Sequence, residues 1–145
     1  MTWTEKIDHS EIMNEITKKT DDFANRFGKH LGTSDVTPDN MGKEKSQKNN
    51  LTTNQLRKFF GEVKRQQLNG YNQSDFILLR PKLAYAVARA KSEKRNPKIA
   101  DLFLVLSDAM TCVSDERTFK NFVKFFEAIV AYHKQYEVEH KKINA

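Results

Sequence analysis

Residues 51–70, LTTNQLRKFFGEVKRQQLNG, contain the start, the apolar face and the end of one amphipathic helix. Thr52 followed three positions later by Gln55 is the pattern of a capping box, in which each side chain satisfies a backbone N–H at the start of the helix. Gly70 is placed to end the helix with a positive φ. The apolar residues at helical spacing are Leu56, Phe59, Phe60 and Val63. This segment therefore predicts a helix with one face in a core and the other in solvent.

Proline and capping signals predict further helices on the C-terminal side of this segment. Pro81, which a helix tolerates in its first turn, predicts a helix over residues 80–94. Asn96 and Pro97 predict the start of the next helix, whose apolar residues cover most of its circumference. We therefore expect that helix at the centre of the core. A last helix is predicted to start at Ser114.

The N-terminal third predicts a helix followed by a loop. Apolar residues share one stripe between residues 4 and 27, and the predicted helix ends at Gly28. Polar and small residues dominate 28–50, which predicts a long flexible linker loop. We therefore expect an N-terminal amphipathic helix at 1–27, the linker at 28–50, and a helical core with a basic face at 51–145.

The whole chain predicts an all-α fold, a single-domain bundle of about five helices with a long N-terminal loop. At 145 residues it has the length of one domain, and ten Phe against five Gly and three Pro favour a packed helical core. No segment shows the alternation of a half-buried strand. The single Cys112 favours a cytoplasmic protein without disulfides, and the charged N-terminus predicts neither a signal peptide nor a membrane span.

Positive charge is concentrated in the middle of the sequence. Residues 51–98 contain eleven Lys and Arg against three Asp and Glu, whereas residues 1–50 and 99–145 each have a net charge of −1. The net charge of +6 therefore belongs to the middle third. A basic block on helices is typical of a protein that follows a phosphate backbone, so nucleic acid is the expected partner.

The basic residues of the first quoted helix fall on its solvent face. At 100° per residue, Arg57 and Lys64 form one column and Lys58 and Arg65 form the next. Gly61 lies between the columns, where it either permits close approach of a ligand backbone or has no functional role. Because the segment has few acids to pair with these cations, the pattern favours binding to a nucleic-acid backbone over a merely solvated face.

The helix that follows continues the positive charge. Lys82, Tyr85 and Arg89 share a face, and Lys94 and Arg95 lie beyond them. Tyr85 is interpreted as half-buried core, with stacking on a base as the alternative. The candidate RNA-binding residues are Arg57, Lys58, Gly61, Lys64, Arg65, Lys82, Arg89, Lys94 and Arg95.

The sequence predicts no active site. His133, Glu137 and His140 share one helix face at metal-ligand spacing, but no second cluster completes a site, and a solvated helix end is the better interpretation. There is no glycine-rich phosphate loop, nucleophile elbow or paired carboxylate motif. We therefore predict a protein that is not an enzyme and uses no cofactor, no metal and no small-molecule substrate.

Three stretches carry a family resemblance: LTTNQLRKFFGEVKR at 51–65, LLRPKLAYAVAR at 78–89 and FVKFFEAIVAYHK at 122–134. Each alone is a modest signal because amphipathic helices look alike, but their order and spacing make the combination specific. Together they resemble the small helical subunit of the type III-A CRISPR interference complex.

The resemblance implies a non-catalytic bundle of five helices that stacks head to tail as the inner filament of an antiviral ribonucleoprotein. Its expected partners are the backbone and large subunits of that complex and the duplex of target RNA with guide RNA. The small subunit contacts the RNA backbone without reading sequence, and cleavage belongs to other subunits. Position by position, the resemblance assigns RNA contact to Arg57, Lys64, Arg65, Lys82 and Arg89.

Two alternatives remain open from the sequence. One is a DNA-binding regulator with a helix-turn-helix, which needs a turn of three or four residues where this chain has a connection over residues 70–79. The other is a helical adaptor that binds an acidic protein. Salt dependence and sequence preference of binding distinguish the three functions.

Overall fold

A computed structural model describes residues 3–46, 49–92 and 98–143 of the chain. Within these ranges the protein forms five helices of twelve residues or more, two shorter helices and one hairpin of two short strands. This confirms the predicted all-α bundle of about five helices. The elements are α1 Ser10–Met13, α2 Lys18–Gly32, β1 Val36–Pro38, β2 Glu44–Ser46, α3 Thr53–Asn69, α4 Gln73–Ile77, α5 Leu79–Ser92, α6 Ile99–Met110 and α7 Glu116–Ile143.

The centre of the bundle is α7, which contacts α1, α2, α3 and α6. It buries four phenylalanines almost completely, and these pack against aromatic rings of α2, α3 and α4. The prediction that α6 occupies the centre is wrong. Its Leu104 is 45% exposed, and the helix packs mainly against α5. The four buried rings are Phe119, Phe122, Phe125 and Phe126.

The N-terminal region differs from the predicted single helix. The chain breaks after α1 and begins α2 at Lys18, and α2 continues through Gly28 to Gly32. A Cβ built on Gly28 would lie 2.6 Å from the Cβ of Tyr132 and 2.8 Å from the backbone N of His133. Gly28 therefore serves the close approach of α2 to α7 and does not end a helix.

The segment predicted as a flexible linker contains an ordered hairpin. β1 and β2 pair antiparallel, with Val36 opposite Ser46, and Asp39 Oδ1 accepts hydrogen bonds from two backbone N–H groups of the turn. Gly42 closes the turn with a φ of 78°. The strands have three residues each, which is too short for an alternating pattern to be recognised in the sequence.

The helix signals of the first quoted stretch are confirmed. Thr52 and Gln55 form both halves of a capping box, and Gly70 ends α3 with a φ of 85°. The predicted start of the last helix is displaced by one residue. Asp115, not Ser114, caps α7, because its Oδ1 accepts a hydrogen bond from the backbone N–H of Thr118 at 2.8 Å. The start signals at Asn96 and Pro97 lie outside the described residues.

Two buried glutamates hold helix N-termini that belong to other parts of the chain. Glu11 accepts hydrogen bonds from the backbone N–H groups of Thr17 and Thr20 at the start of α2. Glu137 accepts them from the backbone N–H, at 3.0 Å, and the hydroxyl of Thr53 at the start of α3. Each carboxylate lies at the positive end of a helix dipole. Glu137 thereby ties the beginning of α3 to α7.

The interpretation of His133 and Glu137 as a solvated helix end is wrong. Their exposed fractions are 1% and 2%, and His133 donates its Nε2–H to the carbonyl of Leu51 at 2.6 Å. Burial lowers the pKa of His133 and outweighs the opposing effect of that hydrogen bond. Both residues are explained by the attachment of α3 to the core.

Acid is expected to destabilise the fold in two stages. The pKa of His133 is lowered from 6.5, so the unfolded chain binds its proton first and stability begins to fall below about pH 6.5. Burial raises the pKa of Asp35, but hydrogen bonds from Asn49 and Lys98 outweigh this and bring it to about 2. The stability that Asp35 contributes is therefore present above its ordinary pKa of 3.8 and is lost as the pH falls toward about 2.

Thermal unfolding followed by circular dichroism between neutral pH and about pH 2.5 checks this pH dependence. The Asp35→Asn variant serves as the matched control, because its melting temperature should change less than that of the wild type below about pH 4. A wild-type melting temperature that stays constant over this range contradicts the prediction.

Candidate nucleic-acid interface

A groove with a volume of about 590 Å³ separates α3 from α5. Its cations come from both helices: Lys58 lies on α3, and Lys82 and Arg89 lie about two turns apart on α5. Apolar residues including Phe59, Leu79 and Ala86 line the same groove. The groove therefore combines an apolar lining with positive charge from two helices.

The predicted basic strip on α3 is divided by this groove. Lys58 lines the groove, whereas Arg57 and Lys64 do not, because they lie about 100° or more around the helix from it. The Lys64 ammonium is 5.8 Å from the ring centroid of Phe60, on the other flank of α3. Gly61 is exposed, and a Cβ there would meet no atom within 4 Å among the described residues.

The remaining predicted residues divide between the groove and the undescribed segment. Lys82 and Arg89 are exposed side chains that line the groove. Arg65 is exposed beside it and contacts the groove through Glu62. Lys94 and Arg95 lie outside the described residues. The structure thus brings Lys58, Lys82 and Arg89 together with Arg65 at their edge.

Glu62 lies in the groove and pairs with cations of both helices. Arg65 donates from Nε to Oε2 at 3.0 Å and from Nη2 to Oε1 at 2.7 Å, and Lys82 Nζ lies 3.4 Å from Oε1. The hydrogen bonds from Arg65, supported by Gln66 and Lys82, lower the pKa of Glu62 to about 2 against the opposing effect of burial. Glu62 is therefore an ionised carboxylate among the cations.

Tyr85 differs from its interpretation as half-buried core. Its side chain lines the groove and is 70% exposed. An exposed aromatic ring beside cations offers a surface on which a base of any identity can stack. The alternative interpretation made from the sequence is therefore the one that its position favours.

Sequence reasoning missed the role of Lys98, which also lines the groove. Its exposed fraction is 4%, and its Nζ donates to the backbone carbonyls of His30 and Thr33, each at 2.7 Å. The same ammonium lies 3.1 Å from Asp35 Oδ1. Lys98 therefore satisfies carbonyls at the C-terminus of α2, where a cation is favourable, and its charge has a structural use.

Neither a metal centre nor a membrane span is found in the parts of the chain that the structure describes. No three His, Cys, Asp or Glu side chains there are placed to hold a metal ion. None of the described helices is long and apolar enough to cross a bilayer.

Comparison with known protein families gives a match over most of the chain. The family described as Csm2 Type III-A matches residues 34–139. No curated protein and no solved structure matches the chain. The matched range includes α3, α5 and the groove between them.

Proposed function

The chain belongs to the Csm2 type III-A family, whose match covers well over half of it, and on this premise we propose that the groove between α3 and α5 binds the backbone of a guide–target RNA duplex. Members of this family are the structural small subunit of the type III-A CRISPR complex, so the chain associates with the other subunits of that complex. The proposal concerns what the subunit contacts inside the assembly.

The convergence of Lys58, Lys82 and Arg89 on one groove is the observation that carries the proposal. Cations that contact phosphates fix the position of a nucleic acid but carry no information about its sequence. Base pairing with the guide then supplies recognition, and the groove tolerates any target. Arg57 and Lys64 lie outside the groove and act by attracting RNA over a longer range.

Tyr85 contributes a second kind of contact in this proposal. It lies between Lys82 and Arg89 in the sequence of α5, and 70% of its side chain is exposed. Stacking on a base adds affinity without reading the base, since every base has an aromatic face. The groove thus combines phosphate contacts with one stacking surface.

We also propose that the subunit assembles into a filament and has no catalytic activity. Copies of the subunit stack head to tail as an inner filament, which requires two different surfaces on each molecule and an interface that does not close on itself. The subunit is non-catalytic and works in the cytoplasm in antiviral defence, and other subunits cleave the RNA. Stacking repeats a few phosphate contacts along the duplex and so multiplies a weak affinity per copy.

Of the two alternative functions, the DNA-binding regulator and the helical adaptor, the connection between α3 and α5 argues against the regulator. α3 and α5 are connected by residues 70–78, which include α4, whereas a helix-turn-helix needs a short turn.

Salt titration of RNA binding by the full-length protein tests the proposal. With three groove cations on phosphates, the logarithm of the association constant should fall against the logarithm of salt with a slope of about −2 to −3. Fluorescence anisotropy with two labelled RNA duplexes of unrelated sequence should give equal affinities. Preference for one RNA duplex would contradict a groove that tolerates any sequence. Absence of RNA binding at low salt would favour the DNA-binding regulator or the adaptor, and either result rejects the proposal.

A further inference from the structure

We propose that Glu62 occupies the phosphate position of the groove in the free subunit and that an RNA phosphate displaces it from Arg65 and Lys82. The inference rests on the proposed function, because it assumes that RNA binds in this groove. In this inference the Glu62 carboxylate competes with RNA phosphates for the same cations and so lowers the affinity of the groove for RNA.

The geometry at Glu62 is that of an anion site that already has an occupant. The Arg65 guanidinium grips the carboxylate with two hydrogen bonds, the arrangement that it also forms with a phosphate. Lys82 approaches the same Oε1 from the facing helix. Cations of α3 and α5 therefore converge on one point, and an acid fills that point.

Glu62 differs from an ordinary surface ion pair in its surroundings. Its side chain is 22% exposed, whereas those of Arg65 and Lys82 are 57% and 58% exposed. Gln66, which is buried, adds a weak contact from its Nε2 at 3.5 Å. The cations are thus accessible from solvent while the carboxylate lies beneath them.

Replacement of the carboxylate by a phosphate leaves both anions in or beside the groove, because Glu62 is covalently part of α3. A phosphate that enters must break the contacts of Glu62 with Arg65 and Lys82, and the displaced carboxylate remains close enough to repel it. The affinity of a single copy is therefore lowered. An RNA that spans several stacked copies overcomes this by multivalency, whereas a short RNA does not. Glu62 thereby favours long, continuous duplexes.

The test compares two substitutions that remove one negative charge each from the full-length protein. Glu62→Gln frees Arg65 and Lys82, and Glu127→Gln removes an exposed acid of α7 outside the groove. We expect Glu62→Gln to tighten binding of a labelled RNA duplex by about five- to tenfold, because exposed ion pairs no longer have to be broken. Its salt slope should become steeper by about 0.7 to 1.4, because salt anions replace the carboxylate at one or two cations and are released when RNA binds.

The outcomes separate this inference from the function on which it rests. Glu127→Gln should bind within about twofold of the wild type, because Glu127 does not line the groove and salt screens an exposed charge there. Equal effects of both substitutions, or weaker binding by Glu62→Gln with an unchanged circular dichroism melt, overturn the exchange and leave RNA binding intact. Absence of RNA binding by the wild type rejects the proposed function itself.

Discussion

The double substitution Lys58→Glu with Arg89→Glu is expected to reduce RNA affinity by about a hundredfold or more, because two charge-assisted contacts are lost from opposite walls of the groove. Each reversed side chain also repels the phosphates that it formerly attracted. Lys58 and Arg89 are exposed, so the fold should remain intact. Fluorescence anisotropy with a labelled RNA duplex measures the affinity, and circular dichroism verifies the fold.

The matched control uses the other flank of α3. Arg57→Glu with Lys64→Glu changes the net charge by the same amount but leaves every groove residue in place. We expect a loss of affinity below about tenfold and a salt slope close to that of the wild type, since only long-range attraction is reduced. An equal or larger loss in this control would place the RNA on the outer flank of α3 and contradict the groove.

Gly28→Ala is expected to lower the free energy of unfolding by about 2–3 kcal/mol, although alanine favours a helix by about 1 kcal/mol over glycine. The added Cβ would lie 2.6 Å from the Cβ of Tyr132 and 2.8 Å from the backbone N of His133. These atoms belong to or adjoin the α7 backbone and cannot rotate away, so α2 must move off the central helix. The melting temperature should fall by roughly 6–12 °C. A Cβ on Gly32 would lie 2.8 Å from the carbonyl oxygen of His133, so the double substitution Gly28→Ala with Gly32→Ala should prevent folding.

Gly61→Ala is the matched control for this prediction. It makes the same change within a helix where the added Cβ meets nothing within 4 Å among the described residues. The helix propensity of alanine should then raise the free energy of unfolding by about 0.5–1 kcal/mol. Thermal unfolding of both variants measures the two effects, and a stabilised Gly28→Ala would show that α2 and α7 are not in close contact.

Local signals in the sequence predicted much of the fold correctly. The capping box of Thr52 and Gln55, the positive φ of Gly70 and the position of Pro81 in the first turn of α5 depend only on residues within a few positions. The columns of basic residues on α3 also follow from helical geometry, whereas their action as one binding face stays a prediction. The all-α class and the five long helices rest on such local patterns.

Long-range packing explains what the sequence did not reveal. Gly28 has the local pattern of a helix end, but its function is a contact with residues more than one hundred positions away. The sequence pattern around His133 and Glu137 indicates solvent exposure. In the fold these side chains instead form hydrogen bonds with Leu51 and Thr53, which are distant in the sequence. The division of the basic strip depends on where α5 packs, and the arrangement of Glu62 between Arg65 and Lys82 depends on the same placement.

The attachment of α3 to α7 also orders events during translation. The carboxylate that satisfies the first backbone N–H of α3 belongs to Glu137, which the ribosome adds 84 residues after Thr53. A nascent chain in which α3 and α5 have been synthesised still lacks Glu137, which holds the start of α3. The groove between α3 and α5 can therefore become rigid only after synthesis has passed residue 137.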